Sequence, residues 1–507
     1  MITLLVMQED TTSLSWKVIA TLAVMMAVVY GHTLAGDFVW DDVFLIERNA
    51  NLRDFSSMWT TAWADFFQQG HSTSSGYLRP VPTILNWLTV SIFGPSPFVF
   101  HLVNLCLHLT TLILAGRLLV RLGLSGLGTA VALGVFTLHP MQVEALSFVS
   151  CRPELCAGLA VFAVLTCYQR YRQAGSFRWL LLACIALALG LLSKIIVLSV
   201  IPIILWFENG QSAKRHWGAA SLLALMGILF LTLRLLWGPT LTEGIQYEGP
   251  RILVALNLLG FYIGQLMCLE GPRCLYTYLE LTHFGLYFWM GLISCLALVI
   301  PILRRQFSGP KYLVILWFLA FLVPVLHLIP FGTVAADRYL YLPMWGIGLG
   351  CGLLVDRVLA DGPVTRRLLL VVLSVTAVVM GTVSVKRAYQ WRTELALWSA
   401  EISQLPVQGH ALTEYGTALG DAGRLSEAQH VYWAAWALKP GNSILFRNLL
   451  RLEARTLPPA MRHGLLTVGL DKSLDRKALK VWIGPLKAVQ AYPLVDLITR
   501  YIQVIED

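Results

Sequence analysis

Apolar runs of membrane length recur along most of the chain, separated by short polar and often basic clusters. Runs of about 20 apolar residues suit membrane-crossing helices, whereas barrel strands need only about half that length. The first run covers residues 16–34, with 18–30 as its core. It lacks a preceding basic stretch and a small-residue cleavage site, so it reads as a retained span rather than a removed signal. A polar, aromatic loop follows at residues 35–78, and a short Pro-flanked apolar stretch at 82–93 enters the membrane only in part. Full spans are then expected at 97–120, 127–148 and 155–168. Residues 179–207 are too long for one ordinary span and carry Ser193-Lys194 at the middle, which predicts two short helices meeting at Lys194. Further spans are expected at 217–236, 284–303, 312–329, 339–354 and 368–385.

The apolar segment 252–269, inside a second large loop at 238–283, decides the topology. Laid in the interface, it leaves Arg117/Arg121, Arg170/Arg172, Lys214/Arg215, Arg304/Arg305 and Arg366/Arg367 on one side of the membrane. Basic loops gather on the cytoplasmic side, so this arrangement is preferred. The expectation is an all-α polytopic protein of about eleven transmembrane helices. Its N-terminus is cytoplasmic, and its C-terminus lies on the far side with loop 35–78.

The pattern changes after residue 385. Residues 386–507 are soluble in character and helical in period, which divides the chain into a membrane domain, 1–385, and a C-terminal domain. Leu412, Tyr415, Gly416 and Leu419, then Ala428, Tyr432, Ala435 and Pro440, are spaced as in the two helices of a tetratricopeptide repeat. The Gly423-Arg424 turn separates them. Trp398 and Pro406 stand one period ahead of Tyr432 and Pro440, so half of an earlier repeat is expected there. The pattern decays beyond Ser443. A solenoid usually needs about three repeats, so this tail needs degenerate hairpins, the membrane domain or a partner to support it.

Composition agrees with the hydropathy pattern. The 507 residues are 57% hydrophobic and 13% charged, where soluble domains carry about a quarter charged residues. The net charge of +9 sits in the clusters between apolar runs, which points to membrane orientation and not to nucleic acid. The nine cysteines lie mostly inside apolar runs, with neither metal-ligand spacing nor a disulfide framework. The chain has no Asn-x-Ser/Thr sequon, which favours a bacterial inner membrane over the endoplasmic reticulum.

The candidate chemistry lies at one membrane face. Asp41 and Asp42 follow the first span directly, behind Trp40 as an interface anchor. Singly, each charge has a plainer reading. The aspartates could cap a loop helix, Lys194 could snorkel, Arg79 and Arg338 could anchor at headgroups, and Arg152 could pair locally. His101 and His108, with Asn104, read as a polar seam between helices. Taken together, Asp41, Asp42, Arg79, His139, Glu144, Arg152, Lys194 and Arg338 fall at a single face. Cations gathered beside a bilayer suit an anionic lipid phosphate.

An ordered set of motifs then carries a resemblance. It comprises Phe38-Val39-Trp40-Asp41-Asp42, Tyr77-Leu78-Arg79-Pro80, Phe100-His101-Leu102-Val103-Asn104-Leu105 with His108, His139-Pro140-Met141-Gln142-Val143-Glu144-Ala145, Leu192-Ser193-Lys194, and Asp337-Arg338-Tyr339-Leu340-Tyr341-Leu342-Pro343. The chain resembles the GT-C glycosyltransferase superfamily. Within it, the resemblance is closer to the transmembrane and tetratricopeptide-repeat-containing O-mannosyltransferases and their bacterial relatives. It departs from them at Ile195, where the family favours an acid after Ser-Lys, at Cys151-Arg152-Pro153-Glu154 in place of Gly-Arg-x-Asp, and at Asp337 in place of Glu.

The resemblance implies an inverting transferase that moves a sugar from polyprenyl- or dolichyl-phosphate to a hydroxyl, with protein Ser/Thr as the expected acceptor. It implies Asp41 or Asp42 as the base, Asp41 being favoured, and Arg338, Lys194 and Arg79 as ligands of the leaving phosphate. His139, Glu144 and Arg152 are supporting residues. A divalent metal, Mg or Mn, could be held by Asp41, Asp42 and Glu144, but no ligand spacing requires one. The C-terminal domain would receive a protein acceptor or partner. The competing readings are a lipid or polysaccharide acceptor, a lipid-linked-sugar transporter, and a non-catalytic membrane scaffold.

Overall fold

The computed structural model describes residues 14–67, 76–209, 216–237, 245–268, 271–303, 309–329, 331–360, 363–438, 441–469 and 476–506. Lys214/Arg215, Arg304/Arg305, Pro330, Pro440 and residues 238–244 and 269–270 of the second loop lie outside them. The described chain is helical, and its only β pairing is a bridge between Asp65 and Leu78. It forms two compact units, Met1–Arg392 and Thr393–Asp507.

In the first unit, α1 (Trp16–Tyr30) leads into a loop with one short helix, α2 (Met58–Trp63). The helices α3 (Pro80–Phe93), α4 (Pro97–Arg121), α5 (Gly126–Leu138), α6 (Val143–Ser147), α7 (Arg152–Ala174), α8 (Phe177–Leu191), α9 (Val200–Asn209) and α10 (Trp217–Trp237) follow. The unit ends with α11 (Arg251–Leu266), α12 (Leu286–Leu303), α13 (Pro310–Leu322), α14 (Pro343–Leu359) and α15 (Pro363–Gln390). Five described helical segments are long and apolar enough to cross a membrane: Trp16–Ala35, Pro97–Arg121, Val149–Ala174, Trp217–Leu236 and Val364–Gln390. Seven shorter apolar helices accompany them. The chain is therefore an integral membrane protein.

The helices pack around aromatic side chains. Trp317 of α13 and Trp345 of α14 lie with ring centroids 4.2 Å apart, and Phe162 of α7 lies 5.4 Å from each. Phe136 of α5 extends the cluster to Tyr341, 5.3 Å away. Such pairs add about 0.5–1.5 kcal/mol each beyond their buried area. Trp317 also donates its indole N–H to the Leu342 carbonyl at 2.8 Å. This fixes the entry to α14, and with it the segment bearing Arg338 and Tyr339.

The break expected at Lys194 is present. Helix α8 ends at Leu191, Lys194 is extended (φ −160°, ψ 133°), and a 3₁₀ turn at Ile195–Ser199 restarts the chain before α9. An ammonium is costly at bilayer depth, and the break carries it to a helix end.

In the second unit, α16 (Glu394–Ile402) is followed by the hairpin α17 (Gly409–Asp421) and α18 (Leu425–Leu438). A Cβ on Gly416 would sit 2.6 Å from the Tyr432 ring, so only glycine lets this ring close the hairpin. The Tyr432 hydroxyl pairs with Thr417 Oγ1 at 3.0 Å. Five further helices follow: α19 (Ser443–Glu453), α20 (Pro459–Gly469), α21 (Arg476–Val481), α22 (Ile483–Ala488) and α23 (Tyr492–Glu506). They bury Phe446, Leu449, Leu486, Leu497 and Tyr501 in one core with Trp436 of α18. Beyond the fading repeat pattern, the tail thus builds its own hydrophobic support.

Candidate functional site

The loop after α1 is held at both edges. A Cβ on Gly36 would lie 3.2 Å from the Arg392 Cα and carbonyl oxygen, so a side chain there would have to push the two segments apart. The Asp37 amide donates to that carbonyl at 2.8 Å, and Arg392 Nη2 donates to the Ala35 carbonyl at 3.1 Å. Trp40 follows in the left-handed region, with φ +54°. That conformation costs a non-glycine residue on the order of 1 kcal/mol or more. Stacking offsets part of it, because the Trp40 ring lies 5.4 Å from Phe148 at 12°, and Phe148 stacks in turn on Trp391 at 5.0 Å. The turn at Trp40 sends the two following carboxylates in different directions.

Asp42 is fully buried and serves as an acceptor hub. Its Oδ1 accepts from the Ser150 amide at 2.7 Å and from the Ser150 hydroxyl. Its Oδ2 accepts from the Val149 amide at 3.3 Å and the Val39 amide at 3.4 Å. The carboxylate thus ties the loop to the 3₁₀ turn Val149–Cys151 that opens α7. Burial pushes its pKa up to about 7, the Ser150 and Val39 hydrogen bonds pull it down, and Asp41 raises it again. Asp41 stays partly accessible to solvent. Withdrawal from bulk water pushes its pKa up to about 6, against the lowering charges of Arg338 and Arg79.

Facing this loop is a cleft lined by Glu154, Lys194, Ile196, Arg338, Tyr339, Tyr341 and Leu342. Arg338 is anchored by Glu144, which accepts from the Arg338 amide at 2.8 Å and from the guanidinium Nη1. The Lys194 ammonium lies 2.6 Å from Glu154 Oε1, and Arg338 Nε lies 3.8 Å from the same oxygen. Both cations stand over the Tyr339 ring, at 5.1 and 5.3 Å from its centre. The Arg79 guanidinium is held against the Phe66 and Tyr77 rings at 4.9 and 4.8 Å, within electrostatic reach of Asp41 and Glu154. Lys194, Arg338 and Arg79 therefore surround one small volume beside Asp41.

The other expected residues lie around this centre. Glu144 acts through Arg338. His139 Nδ1 accepts from the Met141 amide at 3.3 Å, and Nε2 pairs with the Leu266 carbonyl at 3.1 Å, joining α5 to the end of α11. Arg152 points away from the cleft. It donates to Asn104 Oδ1 at 3.0 Å, Asn86 Oδ1 at 2.8 Å and the Phe100 carbonyl at 3.2 Å, with its guanidinium 4.5 Å over the Phe100 ring. It thereby fastens α7 to α3 and α4. Among the described residues no group of three His, Cys, Asp or Glu could hold a metal. Asp42 and Glu144 are each committed to donors of the chain, so the set considered for a metal does not converge.

Three contributors were not singled out from the sequence. Glu154 stood only as part of a motif, yet it neutralises Lys194. Ser150 gives two donors to Asp42. Tyr276, in the second loop, donates its hydroxyl to Asp337 Oδ1 at 2.5 Å, and the Arg273 amide donates to Asp337 Oδ2 at 3.1 Å. This latch grips the residue immediately before Arg338. An acid in the first turn of an apolar helix was the available signal for Glu154; Ser150 and Tyr276 carried none.

The chain is similar to proteins named as protein O-mannosyl-transferases. The Caenorhabditis elegans protein O-mannosyl-transferase F38B6.6 is 25% identical over 450 residues, covering 82% of this chain and 61% of the relative. Mouse protein O-mannosyl-transferase TMTC1 is 34% identical over 161 residues, 31% of this chain and 17% of the relative. Drosophila melanogaster Tmtc2 is 31% identical over 225 residues, 40% and 23% respectively. The chain thus spans 61% of the nematode protein and under a quarter of the other two. No family model and no solved structure matches it. The resemblance to O-mannosyltransferases drawn from the ordered motifs is the one these relatives carry in their names.

Proposed function

We propose that this protein is an inverting glycosyltransferase that moves a sugar, mannose by analogy with its relatives' names, from a polyprenyl- or dolichyl-phosphate to a protein hydroxyl. The observation that carries the reading is the juxtaposition of a partly accessible Asp41 with Arg338, Arg79 and Lys194 at the ends of apolar helices. The Asp41 carboxylate accepts the proton of the acceptor hydroxyl as its oxygen attacks the anomeric carbon. The bond from that carbon to the phosphate oxygen breaks, and its electron pair leaves on the phosphate. Lys194, Arg338 and Arg79 neutralise the charge that develops there. Attack from the face opposite the leaving group inverts the anomeric centre through an oxocarbenium-like state. Asp42 orients Asp41 through the loop. With no convergent metal set, every step is assigned to the chain's own residues.

In this reading about eleven helices cross the membrane, and loop 35–78 and the C-terminal unit lie on its non-cytoplasmic side. The membrane is a bacterial inner membrane. The α17–α18 hairpin is the remnant of a tetratricopeptide-like surface for the protein acceptor or a partner. The basic clusters and the absence of sequons support these assignments. Purified full-length protein, given polyprenyl-phosphate-mannose and Ser/Thr-rich peptides, should transfer the sugar with inversion. Full activity of Asp41→Asn would remove the base assignment, and absence of transfer from any lipid-phosphate sugar would remove the function. Cysteine labelling at Lys386 from the cytoplasmic side alone would overturn the topology.

A further inference from the structure

The two acids of the cleft differ in how they are held. Glu144 uses both oxygens on Arg338 and is 1% exposed. Glu154 uses one. Its Oε1 carries Lys194 at 2.6 Å and Arg338 at 3.8 Å, while Oε2 is buried with no hydrogen-bond partner among the described residues. Glu144 is therefore part of the frame, whereas Glu154 is a counter-ion standing where two cations meet at the cleft wall.

We infer that Glu154 drives release of the lipid-phosphate product by discriminating between its charge and that of the donor; this rests on the transfer reading above. A sugar-linked lipid phosphate is a diester with one negative charge. Transfer leaves a monoester, whose second ionisation near pH 6 brings its charge close to two at neutral pH. Lys194 and Arg338 attract both species. Glu154, sharing those cations, repels the product more strongly than the donor, because like-charge repulsion grows with ligand charge. It also neutralises the empty cleft, so the cations stay aligned over Tyr339 between turnovers. Glu154 is thus a specificity residue for the phosphate group, and a neutral side chain there would trap the product.

The test uses full-length protein in detergent with undecaprenyl phosphate as the product probe and its mannosyl ester as donor. Glu154→Gln should tighten product binding at least tenfold and donor binding no more than threefold. The first turnover should proceed normally and later ones slow, giving a burst. Glu154→Asp, whose carboxylate is drawn back from Lys194, should move product binding the same way by a smaller factor, and it serves if the glutamine variant fails to fold. Unchanged or weaker product binding in a folded variant, with wild type binding normally, overturns this inference and leaves the transfer reading standing. Failure of the wild type to bind either lipid overturns both.

Discussion

Neighbouring aspartates with different partners should fail in different ways when removed. Both Asp42 oxygens accept, from the Val39, Val149 and Ser150 amides and the Ser150 hydroxyl. Removing a buried acceptor leaves its donors unsatisfied at about 1–3 kcal/mol each. Partial relaxation and loss of the Asp41 repulsion reduce the sum, so Asp42→Ala should cost about 3–6 kcal/mol. Asp42→Asn should also destabilise, because its NH2 group must face N–H donors whichever way it turns. At roughly 2 °C per kcal/mol for a large domain, the alanine variant should unfold on the order of 10 °C lower. Asp41→Asn is isosteric at a solvent-accessible position and should shift stability by about 1 kcal/mol or less. Its transfer rate should fall by about 10²–10⁴, the usual contribution of a positioned base. Thermal unfolding of detergent-solubilised protein, followed by buried-cysteine labelling, gives one axis, and single-turnover mannosyl transfer gives the other. A stable Asp42→Ala that has lost only its chemistry, or an active Asp41→Asn, would refute the division of roles.

Three other outcomes follow from the same contacts. The transfer rate should depend on an ionised Asp41, so it should fall as pH drops through about 6, where burial places that carboxyl; a flat pH–rate profile between 5 and 7 speaks against Asp41 as base. Tyr276→Phe removes the hydroxyl from Asp337, the residue before Arg338, while keeping the ring. Donor KM should rise by about tenfold, as one hydrogen bond of roughly 1 kcal/mol or more implies, with kcat largely kept and the folded yield normal. Arg152→Met removes donors to Asn86, Asn104 and Phe100 and should destabilise by about 3 kcal/mol or more. The fraction that folds should retain its donor KM; a large rise in KM with unchanged stability would put Arg152 in the phosphate site instead.

Residue types and helix ends were legible in the sequence. A lysine in the middle of an overlong apolar run has to interrupt it, and Lys194 does. The pair behind Trp40 is an acidic pair in a loop, and the segment before α14 carries Arg338 beside an aromatic ring. What hydropathy did not convey was which charge faces which. Asp42 finds Ser150 108 positions away, and Glu144 finds Arg338 194 positions away. Nothing local distinguishes Arg152, which turns inward to neutral oxygens, from Arg79, which stays by the cleft. That choice depends on where α3 and α4 stop. The same limit hid Tyr276, one aromatic residue among several in a loop. The period of the C-terminal hairpin was readable because Gly416 and Tyr432 meet within it, but the later helices share a core without sharing a repeat.

The seam between residues 35–37 and Arg392 bears on the order in which the chain matures. Asp41 emerges early in synthesis, yet the carbonyl that holds Asp37 and the indole that ends the Trp40–Phe148–Trp391 stack come about 350 residues later. A nascent protein that has inserted every apolar helix but not reached Trp391 has its charges without the brace that aims them. Competence for chemistry would then arrive with the last turn of α15, after insertion is complete. An incompletely made chain would sit in the bilayer as an inert intermediate and would not consume lipid-linked sugar.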